Sequence, residues 1–308
     1  MSGIQNAAKS GVRDKVNSYN LGGHSGCQIC LIEDDDGKTF VRKISKDEDY
    51  NERLKAQSKK QASFNGEPVK VPAVLNQGYT EEGLYFFDME YVQGITLAEY
   101  IKTMEIGKVK GLVESLVSSI IPKRWIKSIP ECKSDVSQIF AKKLSGLRKT
   151  LSVHNNPVID QSLTLLEAHD WSKLTYSQCH GDMTLENIIV KNDKLYFIDF
   201  LDSFYDSWFL DIGTLLQDVQ VMWSYRFQEN VSMNTVLRLI VFRDLLIDEI
   251  KTVNPAYVVE IYYSLLQKLI RIYPYTKDEL TYHFLNEKTS LVIEKIMKLE
   301  KVAGEESL

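Results

Sequence analysis

The sequence predicts an α+β fold in which a small lobe of antiparallel strands is followed by a larger, mostly helical lobe. Three observations carry this prediction. β-rich runs with hairpin signals fill the first ninety residues; amphipathic periodicity takes over after Gly94; and two short strands around "NDK", Asn192 to Lys194, interrupt the helices.

In chain order, "CQICLIE" (Cys27–Glu33) and "TFVRKIS" (Thr39–Ser45) read as adjacent antiparallel strands, because the intervening "DDDG" holds the hairpin pair Asp36-Gly37. The polar run "EDYNERLKAQSKKQASF" puts Leu54, Gln57, Gln61 and Phe64 on one helical face, which predicts a solvated helix with a narrow inner stripe. "VKVPAVLNQGY" is extended, "TEEG" turns, and "LYFFDMEYV" is apolar enough for a buried strand. Thr96 and Glu99 stand at capping-box spacing, and the chain is mostly helical from there to about Pro157. Helices return beyond Phe209, the last one opening near "TKDE" after Pro274. The expected division is residues 1–92 and 93–308, with a hinge from Met89 to Gly94.

Bulk properties narrow the function. A chain of 308 residues buries a core without disulfide or metal staples. Its net charge of −5 argues against a broad phosphate-backbone footprint, so nucleic acid is not an expected partner despite Lys59 and Lys60. Cys27, Cys30, Cys132 and Cys179 lack paired metal-site spacing and read as reduced thiols. With no signal-peptide or membrane-length apolar run, no membrane association is expected and the cytoplasm is the expected location.

The densest chemistry lies in "CHGDMTLENIIVKNDKLYFIDFLD", Cys179 to Asp202. Singly, "HGD" or an Asp at a strand end is ordinary turn chemistry. Jointly, Asp182, Asn187 five residues on, and Asp199 after a strand pair supply three hard oxygen groups of the kind magnesium prefers. That set suits phosphoryl transfer, in which one carboxylate orients the acceptor hydroxyl while an amide and a second carboxylate hold the metal.

These motifs, "HGDMTLEN" followed by "FIDF", resemble those of the aminoglycoside phosphotransferase and choline kinase superfamily. The resemblance implies a two-lobed protein-kinase-like fold, ATP and Mg2+ as cofactors, and a small-molecule hydroxyl acceptor. It makes Asp182 the base or orienter, Asn187 and Asp199 the metal ligands, and His180 and Gly181 shapers of the loop. Asp211 in "FLDIGTLL" matches the family's later Asp and is expected to brace that loop.

The same resemblance assigns nucleotide contacts. "LGGHSG" (Leu21–Gly26) is the phosphate-covering loop, with Gly23 and Ser25 in it; Lys43 is the phosphate lysine, in preference to Arg42 on the opposite strand face; and backbone near Glu90 and Val92 in "MEYVQG" meets the adenine. One departure is plain. The helix after Lys43 normally offers it a glutamate, and that place falls to Gln57 unless Glu52 serves instead.

For the acceptor, Asp202, Tyr205, Trp208, Trp223, Tyr225 and Arg226 cluster after the metal motif. Aromatics there can stack on a sugar or simply fill the core. Arg226 disfavours a cationic acceptor, so the reading leans to a sugar or sugar derivative over choline, ethanolamine or an aminoglycoside. A pseudokinase-like nucleotide-binding module is the alternative from another class. A protein kinase is disfavoured by the absence of "HRD", "DFG" and "APE" segments.

Overall fold

A computed structural model of the chain describes residues 17–20, 26–121 and 136–305. Its residues form two compact units. The first holds Met1–Asn65, Val69–Ile95 and Ile189–Asp202; the second holds Gly66–Pro68, Thr96–Ile188 and Ser203–Leu308.

In the first unit, β1 (Asn17–Asn20), β2 (Gln28–Glu33), β3 (Thr39–Ile44), β4 (Val74–Tyr79) and β5 (Tyr85–Glu90) make an antiparallel sheet in the order β1-β2-β3-β5-β4. The β2–β3 hairpin closes where Gly37, at φ 75°, donates its amide to the Asp34 carbonyl. Alternation along the strands sends Cys27, Val41, Tyr85, Phe87 and Met89 inward, against Leu54. Leu54 belongs to α1 (Asn51–Ser63), whose buried stripe is otherwise polar: Gln57, Ser58 and Gln61. Each finds a partner, as burial requires; Ser58 Oγ lies 2.9 Å from the Tyr85 hydroxyl, and Gln61 Nε2 donates to the Pro72 carbonyl at 2.9 Å.

The strand pair around Asn192 and Asp193 is β7 (Ile188–Lys191) and β8 (Lys194–Phe197), which with β6 (Ile95–Thr96) forms a three-stranded sheet. Asn192 and Asp193 take φ values of 50° and 56°, a conformation Asn and Asp tolerate better than most residues. Lys70 exchanges backbone hydrogen bonds with Leu195 and Phe197, and residues 189–202 cluster with the first unit.

The second unit is helical. α2 (Leu97–Thr103) is capped by Thr96, whose Oγ1 accepts from the Glu99 amide, while the Glu99 carboxylate takes Lys102 at 2.7 Å. α3 (Val109–Ile120), α4 (Val136–Leu151) and α5 (Pro157–Ala168) follow. Then come α6 (Trp208–Val219), α7 (Met233–Val253), α8 (Tyr257–Ile270) and α9 (Glu279–Glu305). α6 is buried all round and packs on α8. Gly213 permits that approach, since a Cβ there would meet Ser264 Cβ at 2.9 Å and the Leu265 amide at 3.0 Å. At the start of α9, Asp278, rather than Thr276, accepts the Thr281 amide at 2.7 Å. No described helix is long and apolar enough to cross a membrane.

Candidate active site

In the second unit, the loop "HGD" is built on the buried helix α6. Gly181 turns at φ 94°, where a side chain would be strained. The Asp211 carboxylate accepts the His180 amide at 2.6 Å and the Gly181 amide at 2.8 Å. His180 is fully buried, and its Nδ1 accepts the Asp182 amide at 3.2 Å.

These contacts fix the backbone from which Asp182 projects. A 3₁₀ turn, Leu185–Asn187, then returns Asn187 to it, and the Asn187 amide nitrogen donates to the Asp182 carbonyl at 2.9 Å and to its carboxylate Oδ2 at 3.2 Å. The turn has its own anchor two helical turns along α6, where Asp218 Oδ2 accepts the Leu185 amide at 2.7 Å and Oδ1 accepts the Ser224 amide and hydroxyl at 2.9 and 2.8 Å. Burial outweighs these hydrogen bonds and pushes the Asp218 carboxyl up to about 6. Lys268 of α8 donates to the Gly181 carbonyl at 3.2 Å; burial, and then the nearby Arg271, hold its ammonium below the usual lysine range, against the pull of Asp182, Asp211 and Cys179.

In the first unit, the Lys43 side chain is only 2% exposed, and its ammonium donates to Gln57 Oε1 at 3.2 Å and to the Asp199 carboxylate. Gln57 is itself fixed by a 3.1 Å hydrogen bond from its Nε2 to the Tyr50 hydroxyl. Glu52 points to solvent and pairs with Lys55, so the place opposite Lys43 belongs to Gln57. α1 also holds the segment carrying Asp199: Lys60 donates to the Leu201 carbonyl at 3.0 Å, and the Phe64 ring packs on Phe197 and Phe200. Asp199 sits at φ 60° with its side chain 39% exposed. Arg42 lies on the other strand face, bidentate to Asp88.

The remaining residues singled out by sequence fall as follows. Gly23 and Ser25 lie outside the described residues. Glu90 is exposed and accepts the Ala73 amide, and Val92 is half-buried in the irregular stretch before β6. Asp202 is exposed, 3.9 Å from Arg53. Trp223 and Arg226 do come together, the guanidinium lying 3.9 Å over the ring. Tyr205 and Trp208 are core residues instead: the Tyr205 hydroxyl donates to the Leu174 carbonyl, and Trp208 stacks on Phe209 at 3.8 Å. The Tyr225 hydroxyl likewise donates to the Ala98 carbonyl. Side chains so buried offer a substrate no face to stack on.

Asp218 and Lys268 were not among the expected residues. Asp218 had a signal: with Asp211 it is one of two acids seven residues apart in an otherwise apolar helix, which sets both on one face. Lys268 had none, since one lysine near the end of a helix is ordinary.

Comparison with known proteins agrees with this arrangement. The family model described as the phosphotransferase enzyme family, APH, matches residues 27–237. No curated protein matches the chain. Among solved structures, a thermostable variant of the aminoglycoside phosphotransferase APH(4)-Ia, in ternary complex with ADP and hygromycin B, has a TM-score of 0.61 at 12% identity, covering 91% of this chain and 94% of its own. A candidate fructosamine-3-kinase from Haemophilus somnus 129PT has a TM-score of 0.57 at 14% identity, with 91% and 92% covered. The GDP and kanamycin complex of APH(2")-IIia has a TM-score of 0.53 at 14% identity, with 92% and 94% covered. These similarities show the fold, the protein-kinase-like α+β architecture of a small antiparallel-sheet lobe and a larger helical one. The family match covers more than half of the chain, carries the "HGD" loop and Asp199 within it, and identifies the protein as a member of the phosphotransferase enzyme family, transferring phosphoryl groups to an alcohol.

Proposed function

We propose that the protein is an ATP-dependent small-molecule kinase that transfers the γ-phosphoryl group to a hydroxyl of a small metabolite, a sugar or sugar derivative in preference to choline or an aminoglycoside. Residues 1–92 take the nucleotide, and residues 93–308 carry the catalytic loop and the acceptor. The observation that carries this reading is the Asp182–Asn187 pair, held by a loop whose two amides are pinned by Asp211.

In this reading Asp182 receives the acceptor hydroxyl, orients its oxygen toward the phosphorus and takes its proton as the new bond forms. The Asn187 amide fixes one oxygen of that carboxylate. Lys43 places its charge at the nucleotide phosphates, kept in line by Gln57, which accepts a hydrogen bond without neutralising it.

The donors fit a hard cation. Asp199 offers a part-exposed carboxylate, and Asn187, with its nitrogen engaged, offers its amide oxygen. Magnesium held by Asn187 and Asp199 would supply charge neutralisation at the phosphates.

The ADP complex of APH(4)-Ia supports ATP as donor, and the hygromycin B and kanamycin in the related structures support a small-molecule acceptor. The preference for a sugar rests on Arg226, a cation stacked on Trp223, which disfavours a cationic acceptor. A screen for magnesium-dependent ADP release over sugars, hydroxy acids, amino alcohols and aminoglycosides tests the reading. Efficient turnover of choline or kanamycin with inert sugars contradicts the preference; turnover of no acceptor, with nucleotide bound, favours the pseudokinase-like module.

A further inference from the structure

The backbone of the "HGD" loop is held from two helices of the second unit. α6 supplies Asp211, whose carboxylate takes the amides of His180 and Gly181. α8 supplies Lys268, whose ammonium donates to the Gly181 carbonyl at 3.2 Å. The two helices approach closely at Gly213, where a Cβ would meet Ser264 Cβ at 2.9 Å. Lys268 stands one turn beyond Ser264, on the same face of α8.

The Gly181 carbonyl and the Asp182 amide are the two ends of one planar peptide unit. Lys268 holds its oxygen and His180 Nδ1 accepts its N–H, each at 3.2 Å. Gly181, at φ 94°, has no Cβ to resist rotation of that unit, and the two contacts resist it from opposite ends. The Asp182 side chain leaves the backbone directly after this unit, so its direction follows the plane.

A lysine is a costly group for this position. Burial disfavours the charged ammonium, and Arg271, three residues on, acts in the same direction. A neutral donor would hold a carbonyl with less penalty. It would lack the attraction of Asp182, Asp211 and Cys179, which pull the charge of Lys268 up, and the greater strength of a charge-assisted hydrogen bond.

We infer that Lys268 is a positioning residue for phosphoryl transfer, its ammonium holding the Gly181–Asp182 peptide by the carbonyl end and so setting the direction in which Asp182 meets the acceptor hydroxyl. The inference rests on the kinase reading and adds to it a residue from outside the catalytic motif, on a helix some eighty positions further along the chain.

The test compares two variants of the full chain: Lys268→Met, which keeps the length of the side chain without its donor, and Lys268→Arg, which keeps a charged donor. With the acceptor that the wild type uses best, Lys268→Met is expected to lose ~10- to 100-fold in kcat, the cost of misplacing a reacting group, while the Michaelis constant for ATP stays within a few-fold. Lys268→Arg is expected to recover most of that loss. A folded Lys268→Met protein that turns over within a few-fold of wild type overturns the inference; so does a loss carried by the Michaelis constant for ATP, or one that arginine does not relieve. A second measurement needs no folded variant. In the wild type, nuclear magnetic resonance should show the Gly181 carbonyl carbon and the Asp182 amide shifting together as the Lys268 ammonium titrates, at a pH below the ordinary lysine range. Signals at Gly181 and Asp182 that stay fixed through that titration overturn the inference as well. Turnover of no acceptor by the wild type counts against the kinase reading itself, while the resonance shifts still judge the carbonyl contact.

Discussion

The carboxylate of Asp211 grips the backbone amides of both His180 and Gly181, at 2.6 and 2.8 Å, from a helix buried on all sides. A buried carboxylate with two short amide donors joins stability to function, because the same contacts that satisfy it aim Asp182.

Asp211→Ala should therefore cost about 2 to 4 kcal/mol of stability, in the range for a charged hydrogen-bonding group lost from the interior. Asp211→Asn, which keeps one accepting oxygen, should cost less. Denaturant titration measures both. Where the folded variant can be assayed, turnover should fall more than nucleotide affinity does; unchanged turnover would show that the loop holds its shape without this clamp.

Lys43 and Gln57 make a second prediction. Lys43→Ala should raise the Michaelis constant for ATP ~10-fold or more while leaving that for the acceptor nearly unchanged. Gln57→Ala removes a neutral hydrogen-bond partner and should have a smaller effect in the same direction, since Asp199 still receives the ammonium. Steady-state kinetics with each substrate varied separately makes the comparison. A larger effect on the acceptor from either substitution contradicts the assignment.

These two relationships show what the sequence could reveal. Asp36-Gly37, the Thr96 cap and the Asn192 turn were legible because each is local chemistry: a positive φ or an orphan amide selects the residue type. Gln57 and Gln61 were legible on the inner stripe of the helix with Leu54, but the partners that let polar side chains be buried there were not, since the Tyr85 hydroxyl and the Pro72 carbonyl come from distant positions in the chain. The aromatics after the metal motif misled for the opposite reason. Tyr205 and Trp208 have both a polar handle and a large apolar face, and a core with a carbonyl to spare satisfies them as well as a substrate does.

Asp218 predicts a pH dependence. Its carboxyl titrates near 3.8 when unfolded and is raised to about 6 by burial in the folded chain, so the folded state holds the proton more tightly. Its stabilising contribution is fully present below pH about 4 and is lost as pH rises through about 6, by on the order of 2 to 3 kcal/mol. Asp218→Asn abolishes that titration and adds a constant penalty, because its amide group cannot serve both the Leu185 and the Ser224 donors. The stability of the wild type minus that of the variant, from urea titrations at pH 4 to 7, should thus decline with pH. A flat difference would mean the three hydrogen bonds keep the carboxylate charged.

Asp182 tests the central claim most directly. Magnesium-dependent phosphoryl transfer should be measured for the wild type and for Asp182→Asn on the acceptor the wild type uses best, with circular dichroism confirming that both are folded. The account predicts a loss of ~10²- to 10⁴-fold in kcat, the range for removal of a general base, with the Michaelis constant for ATP little changed. A folded Asp182→Asn protein that turns over within a few-fold of the wild-type rate would contradict it.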